Sequence, residues 1–545
     1  IEENHGERFF LYMAPTINHG PVRNDLTKTL LADNGYTSAG YLPNEDYSFM
    51  PTRAAIVNQV TSAGKDLISA RETWLDYSIA AILNKLTQHG IRNDTLIIFT
   101  SDHGEKTLYG PLVWGKSSMF DLGMRVPMVM NWPNGITSPG RTYDEIISQV
   151  DIAPTLLALT GASALPTRPV DGVSLVPVFN GSSAPVRDDL FAEIGYARAV
   201  RTKERKYVAV RYTPSIYSQI ESGYLWQKYD GNTATGQFTE PRPYYVNNSQ
   251  LGSLAANSHP ANTYFADDQL YNLTSDPNEN TNIYGQEPAT AYDLKKRLAS
   301  YIGGIPDRPF RQFGDSSTEF SPAPASAPSA PGSLQMQFLG IDSVQLDWTD
   351  APDSELGYVI RKTVNGGTPE VIAELPSGAT TATAALDPGV EDIVLEVASY
   401  NALGDGTSQV DLLAPDHWRY RTFGDIDPTL GQPVSQWSYD ADGDGETTLW
   451  EYATATDPRS ASSVARATGA INPIGPDSYL ELLVPRDARR SVQIHGAVST
   501  NLTSWNVGEP HCTVVEDETD HVLFRSATPV GDVPRQFIRA EVAEP

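Results

Sequence analysis

The sequence predicts an α/β domain followed by all-β domains, and three observations support this. Before residue 310, apolar runs of strand length alternate with segments of helical periodicity, as an α/β layer requires. A Pro-rich stretch at residues 321–331 then interrupts this pattern. Beyond it, short alternating segments are separated by turn residues, which is typical of β-sandwiches.

The composition excludes several classes of protein. A chain of 545 residues is too long for one core and predicts several domains. Its formal net charge of -28 argues against nucleic acid and anionic lipid as partners. The single cysteine, Cys512, excludes an intramolecular disulfide framework, and no apolar run is long enough to span a bilayer. We therefore expect a multidomain protein without a membrane span.

Helices and strands can be assigned in the N-terminal part. Residues 69–89 carry apolar side chains at helical spacing, and Gly90 suits a helix C-cap. Residues 95–100 predict a buried parallel strand, and residues 126–131 predict another. Asp151 is expected to cap a helix that ends near Gly161.

The strand at residues 95–100 leads directly into Asp102 and His103. Ligands of open α/β sheets gather at the carboxyl ends of strands. An aspartate and a histidine can bind one divalent cation there, and Gly104 permits a tight turn behind them. The pair alone is a weak signal, because such a sequence also occurs in ordinary turns.

Two further residues suit the chemistry of a charged ester. Lys116 follows the Asp-His pair closely and offers a compact cation for the non-bridging oxygens of a sulfate or phosphate. His19 follows another short apolar run and can donate a hydrogen bond to the ester or protonate a leaving oxygen. Taken alone, they would be read as a surface lysine and a loop histidine.

Together these segments resemble the sulfatase family of the alkaline-phosphatase superfamily. The resemblance covers residues 1 to about 305 and implies a mixed sheet flanked by helices over residues 1–185, closed by a small α+β subdomain over residues 186–310. It implies hydrolysis of sulfate esters with an active-site divalent cation, usually calcium. The matching blocks, in order, lie at residues 9–15, 19–21, 95–104, 115–127, 150–157, 171–175, 198–207 and 270–279.

The resemblance also assigns roles to individual residues. Asp102 and His103 match the later pair of metal ligands, where many sulfatases have Asp-Asn, so another divalent metal stays open. Lys116 matches the lysine that contacts the sulfate. His19 matches the histidine near the leaving-group oxygen.

Sulfatases use a formylglycine nucleophile made from a Cys/Ser-x-Pro-x-Arg segment, and we expect no such segment in this chain. Cys512 lacks Pro and Arg at that spacing, and the segment Met50-Pro-Thr-Arg53 has no Cys or Ser two residues before its proline. The early Asp pair that completes the family's metal site is not found either. We expect both in a segment preceding Ile1, and predict that the chain is inactive alone.

The region after the Pro-rich linker (residues 311–331) begins with a segment at residues 332–415 that resembles a fibronectin type III module. Trp348 is its expected core residue, and Gly357-Tyr-Val-Ile-Arg361 adds to the resemblance. The late strand departs from that pattern, with Ile393 and Leu395 where a tyrosine is expected. A C-terminal β-rich domain at residues 463–545 receives no functional assignment.

A calcium loop is predicted in the intervening segment, residues 416–462. Asp440 to Glu451 fits the twelve-residue pattern in full. Such a single loop resembles dockerin or thrombospondin-type repeats, and we expect it to stiffen a domain junction at millimolar extracellular calcium. The predicted ligands are Asp440, Asp442, Asp444, Glu446 through its backbone carbonyl, and Glu451.

These observations favour a secreted, periplasmic or cell-surface sulfatase acting on sulfated carbohydrate. The accessory domains are expected to contact a polysaccharide or a cell surface. Two alternatives stay open: a phosphomonoester, phosphodiester or phosphonate hydrolase of the same superfamily, and a non-catalytic adhesion or scaffold protein. Retention of His19, Asp102, His103 and Lys116 argues against the last.

Overall fold

The chain forms two compact units in a computed structural model, Ile1–Leu190 and Phe191–Pro545. The first combines helices and sheets and the second ends in all-β sheets, which confirms the predicted fold class. The division lies near the expected end of the core at residue 185. The structure describes residues 1–15, 36–37, 40–41, 48–104, 119–163, 170–194, 197–211, 266–304, 320, 324–351, 355–390, 392–423, 436–490 and 492–543.

Helices of the first unit follow the predicted periodicity. The predicted helix at residues 69–89 is present, and Gly90 ends it with a φ of +71°. It packs on the preceding helix through Ile56, Val60 and Ala70. The helices are α1 (Arg53–Ser62), α2 (Ser69–Gln88), α3 (Asp121–Met124), α4 (Ile152–Thr160) and α5 (Val176–Phe179).

The strand before Asp102 differs from its prediction. In the described part of this unit, β3 (Ile97–Thr100) pairs only with β4 (Met128–Asn131), and the pairing is antiparallel. Phe99 is 40% exposed and Val129 59% exposed. The prediction of a buried parallel strand is therefore wrong. An apolar run indicates a strand, but it does not indicate the direction of that strand or whether other segments bury it. A short hairpin of β1 (Tyr36–Thr37) and β2 (Gly40–Tyr41) precedes these strands.

A four-stranded sheet opens the second unit. Its order is β5-β6-β7-β8, and β6, β7 and β8 run antiparallel to one another. Helix α6 (Pro288–Gly303) covers it with Leu294 and Leu298, which pack in one core with Tyr207 and Leu270. The strands are β5 (Asp189–Ile194), β6 (Ala197–Thr202), β7 (Arg205–Val210) and β8 (Asp268–Asn272).

A two-sheet sandwich follows, ordered β13-β10-β9 and β12-β11-β14-β15. Trp348 lies in its core as predicted. Ile393 and Leu395 are fully buried there, so these residues serve as core where a tyrosine was expected. The strands are β9 (Gly332–Gly340), β10 (Ser343–Thr349), β11 (Gly357–Val364), β12 (Glu370–Pro376), β13 (Thr381–Ala385), β14 (Ile393–Asn401) and β15 (Gly404–Asp411).

Residues 324–331 of the Pro-rich stretch lie against this sandwich. Asn401 Nδ2 donates to the carbonyl of Ser326 at 2.8 Å, and Ser408 Oγ donates to that of Pro331 at 2.6 Å. A Cβ on Gly406 would lie 2.4 Å from the carbonyl oxygen of Pro328, so only glycine fits there. The described part of the stretch therefore packs on β14 and β15, unlike the spacer that its composition predicts.

One buried network joins the α6 region to the sandwich. Glu374 on β12 is fully buried and lies 3.3 Å from Lys295 Nζ on α6. Tyr284 and Tyr400 also donate hydroxyl hydrogen bonds to its carboxylate. Burial raises the pKa of Glu374, although Lys295 and the two hydroxyls oppose this. The core beneath α6 continues into residues of β11 and β14, so the two parts share one interior.

The C-terminal part adds two short helices and a second sandwich. The helices are α7 (Pro415–Phe423) and α8 (Thr448–Thr454), which flank the acidic loop. The sandwich sheets are ordered β16-β17-β21-β20 and β19-β18-β22 around buried Phe524 and Cys512. Its strands are β16 (Thr468–Ile474), β17 (Asp477–Pro485), β18 (Gln493–Ser499), β19 (Asn506–Val507), β20 (Cys512–Asp517), β21 (His521–Ser526) and β22 (Phe537–Ala543).

Candidate metal and sulfate site

Asp102 and His103 lie side by side in the turn that follows β3. His103 Nε2 is 3.1 Å from Asp102 Oδ2, and the Asp102 side chain is 78% exposed. Asp102 Oδ1 accepts the His103 amide at 3.0 Å and the Ser101 hydroxyl at 3.3 Å. The second carboxylate oxygen and one imidazole nitrogen thus face each other.

The histidine ring is oriented by a backbone contact. His103 Nδ1 lies 2.8 Å from the backbone carbonyl oxygen of Gly104. Since a carbonyl only accepts hydrogen bonds, this contact uses a proton on Nδ1 and leaves Nε2 to face Asp102 Oδ2. This is the arrangement that prepares a histidine for metal binding through Nε2.

The turn is fixed from behind by close backbone packing. The Gly104 amide donates to the Gly123 carbonyl at 2.8 Å, and a Cβ on Gly104 would lie 2.0 Å from the Leu122 carbonyl oxygen. Partial burial raises the pKa of Asp102, but neighbouring His103 and the hydrogen bonds to its carboxylate outweigh this and lower it. The carboxylate is therefore available as an anionic ligand.

The other predicted residues are not brought to this pair by the described structure. His19 and Lys116 lie outside the described residues. Within the described ranges, no third His, Cys, Asp or Glu completes a metal cluster with Asp102 and His103. A carboxylate oxygen and an imidazole nitrogen at 3.1 Å fit two positions of a divalent-cation site.

Asp151 has a structural role that the sequence did not predict. It precedes α4 without making the predicted side-chain cap. Its buried carboxylate accepts the amides of Ser148 at 2.7 Å and Val173 at 2.8 Å, and it pairs with Arg187. Leu175 N also donates to Thr155 Oγ1 at 2.8 Å. Asp151 thus joins three separate segments, and the Asp171–Leu175 block was the available signal.

The acidic loop at residues 440–451 has the geometry of a cation site. Oxygens of Asp440, Asp442 and Asp444 lie within 4.8 Å of one another. Asp440 accepts the amides of Gly443 at 2.7 Å and Gly445 at 2.9 Å. Gly445 has a φ of +97°, which favours glycine at the sharp turn of the loop.

Glu451 completes the acidic loop from helix α8. It is fully buried, and among the residues that the structure describes neither of its carboxylate oxygens has a hydrogen-bond partner. Burial, followed by the charges of Asp442 and Asp444, raises the pKa of Glu451 to about 8. The Glu446 carboxylate instead accepts the Ala465 amide at 3.1 Å, so its backbone carbonyl is the group left for the seventh position.

The N-terminal part of the chain matches models of known protein families. Residues 1–162 match the family model described as sulfatase. Residues 110–227 match the model described as N-sulphoglucosamine sulphohydrolase, C-terminal. The N-terminal region is sulfatase-like. Asp102 and His103 lie within the matched sulfatase region.

Curated sulfatases are similar over the same part. Human arylsulfatase A is 30% identical over 222 residues, covering 39% of this chain and 38% of that protein. The choline-sulfatase of Rhizobium meliloti (strain 1021) is 38% identical over 158 residues, covering 28% of this chain and 30% of that protein. The matched region thus spans well under half of these relatives.

Among solved structures, a putative sulfatase from Bacteroides thetaiotaomicron VPI-5482 matches 48% of this chain and 50% of its own. Its identity is 19% and its TM-score 0.28. A score this low carries no weight for the fold, which rests on the elements described above. No helix in the described part of the chain is long and apolar enough to cross a membrane.

The sulfatase nucleophile pattern needs one correction. Ser183-Ala-Pro-Val-Arg187 fits Ser-x-Pro-x-Arg letter by letter, which the search around Cys512 and Met50–Arg53 missed. Ser183 is exposed, and Arg187 is paired with buried Asp151. Arg187 therefore has a structural role, whereas Ser183 lies on the surface and follows Asp102 in the chain.

Proposed function

We propose that this chain carries part of a sulfuric ester hydrolase. The observation that supports it most strongly is the sulfatase-family match over residues 1–162, with Asp102 and His103 adjacent at the end of β3. Relatives named arylsulfatase and choline-sulfatase agree with this assignment. We propose formylglycine, expected in a segment preceding Ile1, as the nucleophile.

The residues act by binding and orienting the ester. Asp102 Oδ2 and His103 Nε2 would hold a divalent cation, with calcium proposed. Such a cation, when bound, supplies positive charge that stabilises the anionic ester and nucleophile. Lys116 adds a second charge for the non-bridging oxygens, and His19 donates a proton toward the leaving oxygen.

The proposed substrate class is sulfated carbohydrate, and the proposed setting is outside the cytoplasm or in the periplasm. Support comes from the appended β-domains, which suit contact with a polymer or cell surface, and from the acidic loop, which suits extracellular calcium. The proposed divisions are a core at 1–185, a subdomain at 186–310, a linker at 311–331, a fibronectin type III-like module at 332–415, a calcium-loop segment at 416–462 and a β-rich domain at 463–545.

The test uses the complete gene product that contains this chain. Inorganic sulfate is measured from an aryl sulfate and from a sulfated polysaccharide, and phosphate from an aryl phosphate and a phosphodiester. We expect sulfate release that falls by at least about a thousandfold in His103→Ala and Lys116→Ala. Ser183→Ala is the matched control and is expected to retain activity.

The outcomes separate the alternatives. Turnover of phosphate esters above sulfate esters would favour the phosphohydrolase reading. Absence of any turnover, together with unimpaired binding to polysaccharide, would favour a scaffold. Loss of activity in Ser183→Ala with a folded protein would move the nucleophile into this chain and contradict our placement of it.

A further inference from the structure

The acidic loop lies between two β-sandwiches that both bond to its helix. On one side, the Tyr452 hydroxyl of α8 donates to the Leu413 carbonyl at the end of the first sandwich. The Tyr452 ring also packs against Trp418 of α7, with ring centroids 5.0 Å apart. Helix α8 is therefore anchored to the strand and helix that leave the first sandwich.

On the other side, α8 holds the second sandwich. Trp450 Nε1 donates to the Ala465 carbonyl at 2.9 Å, and the Trp450 ring packs against the core around Phe524. The Asp487 amide donates to the Ala453 carbonyl at 2.9 Å. The Glu446 carboxylate of the loop accepts a hydrogen bond from the Ala465 amide. The loop and helix α8 therefore both bind the segment that leads into β16.

The loop holds buried carboxylate oxygens that suit a cation. Glu451, the carboxylate that α8 contributes, is fully buried, and neither of its oxygens has a hydrogen-bond partner among the described residues. One oxygen each of Asp442 and Asp444 is buried and likewise has no partner in the described part of the chain. Such uncompensated carboxylates are costly unless they bind a metal. Hard oxygen ligands in this spacing suit Ca²⁺ over softer or smaller cations.

We propose that a Ca²⁺ ion bound by this loop fixes helix α8 and thereby locks the two β-sandwiches into one rigid body. Asp440, Asp442, Asp444 and Glu451 supply carboxylate oxygens, and Glu446 supplies its carbonyl. The ion joins the acidic turn to helix α8, which contacts both sandwiches through Tyr452 and Trp450. The inference is independent of sulfate-ester hydrolysis.

The test is calcium titration of the full 545-residue chain after chelator treatment. Calorimetric titration gives the affinity, and hydrogen exchange followed by mass spectrometry gives the protection of α8 and of residues 460–490. We expect saturable binding at micromolar to millimolar Ca²⁺. Exchange should slow in α8 and at both contacts, and the melting temperature of the sandwich transition should rise by several degrees, with a weaker response to Mg²⁺.

Variants locate the effect in this loop. Glu451→Gln and, as a milder change, Asp444→Asn are expected to weaken binding about tenfold or more and to cancel the protection. Asp457→Asn removes the same charge from an exposed side chain outside the loop and should bind as the wild type does. His103→Ala should also leave this binding event unchanged, which separates it from the proposed sulfatase site.

Two results would overturn the proposal. One is calcium binding that persists in both loop variants when each is combined with His103→Ala, which would place the ion outside both proposed sites. The other is binding that protects the loop alone while exchange at the Leu413 and Ala465 contacts stays unchanged, which would leave a local cation site with no joining role. Comparing the stripped and loaded wild-type chain decides this second point even if a variant fails to fold.

Discussion

At the scale of single residues, backbone contacts hold Asp102 and His103 in the turn after β3. The Gly104 carbonyl orients the His103 ring, and the Leu122 carbonyl lies close behind Gly104. Motif spacing does not predict such contacts, because they depend on how closely separate backbone segments approach. The contacts of Asp151 were missed because its partners lie 22 and 36 positions away.

Asp268 offers a residue-scale prediction about acid stability. Burial raises the pKa of Asp268, but the charges of Lys295 and Arg211 outweigh it and lower the pKa to about 2. Because the folded pKa lies below the ordinary value of 3.8, this group stabilises the fold above about pH 4. That contribution, about 2 kcal/mol, is lost as the pH falls from 4 toward 2.

In Asp268→Asn, the free energy of unfolding should therefore fall less steeply as the pH falls through that window. Urea unfolding midpoints of the second unit, measured from pH 5 to pH 2.5, test this. Asp293→Asn is the control, because Asp293 is 56% exposed and pairs with Arg297 within the same helix. An equal pH slope in wild type and Asp268→Asn would contradict the assignment.

At the scale of elements, helical periodicity and C-terminal glycines predicted the helices well, whereas the predicted Asp151 cap is not formed. Helix α2 and the left-handed Gly90 and Gly161 lie where the sequence placed them. Strand β3 was predicted at the right place with the wrong direction and burial, since both are decided by distant segments. The acidic loop could be found from spacing, because its carboxylates lie within twelve consecutive residues, and the structure brings Asp440, Asp442 and Asp444 together. Calcium binding by this loop stays a prediction.

Two glycines of these elements should respond differently to alanine. Gly104→Ala forces a Cβ against the Leu122 carbonyl at 2.0 Å, so it should destabilise the first unit by about 2 to 3 kcal/mol. Gly90→Ala has open space around it and meets only its φ of +71°, so about 1 kcal/mol is expected. Calorimetry of the first unit's transition measures both, and an equal or reversed order would contradict the contact.

At the scale of the whole molecule, composition predicted several domains but not which of them share an interior. The composition of the Pro-rich stretch predicted a linker between domains. Side chains of β14 and β15 nevertheless donate hydrogen bonds to the carbonyls of Ser326 and Pro331 in this stretch. The core under α6 runs on into β11 and β14. A core shared in this way is formed by residues far apart in the chain, and the local sequence pattern does not predict which of them pack together.

The shared interior predicts joint unfolding of the α6 region and the first sandwich. Lys295→Met would leave Glu374 buried without its cation, and should lower their common transition by about 3 kcal/mol or more. The double variant Lys295→Met/Glu374→Gln removes both charges and should recover most of that loss. Calorimetry that resolves two separate transitions, with only one shifted by Lys295→Met, would argue against one interior.

The central proposal is that this chain forms part of a formylglycine-dependent sulfate-ester hydrolase, and peptide mass spectrometry of the complete gene product tests it most directly. We predict a peptide preceding Ile1 in which the Cys or Ser of a Cys/Ser-x-Pro-x-Arg segment is converted to the aldehyde, with unmodified Ser183. A complete gene product without any formylglycine, or with the conversion at Ser183, would contradict this account.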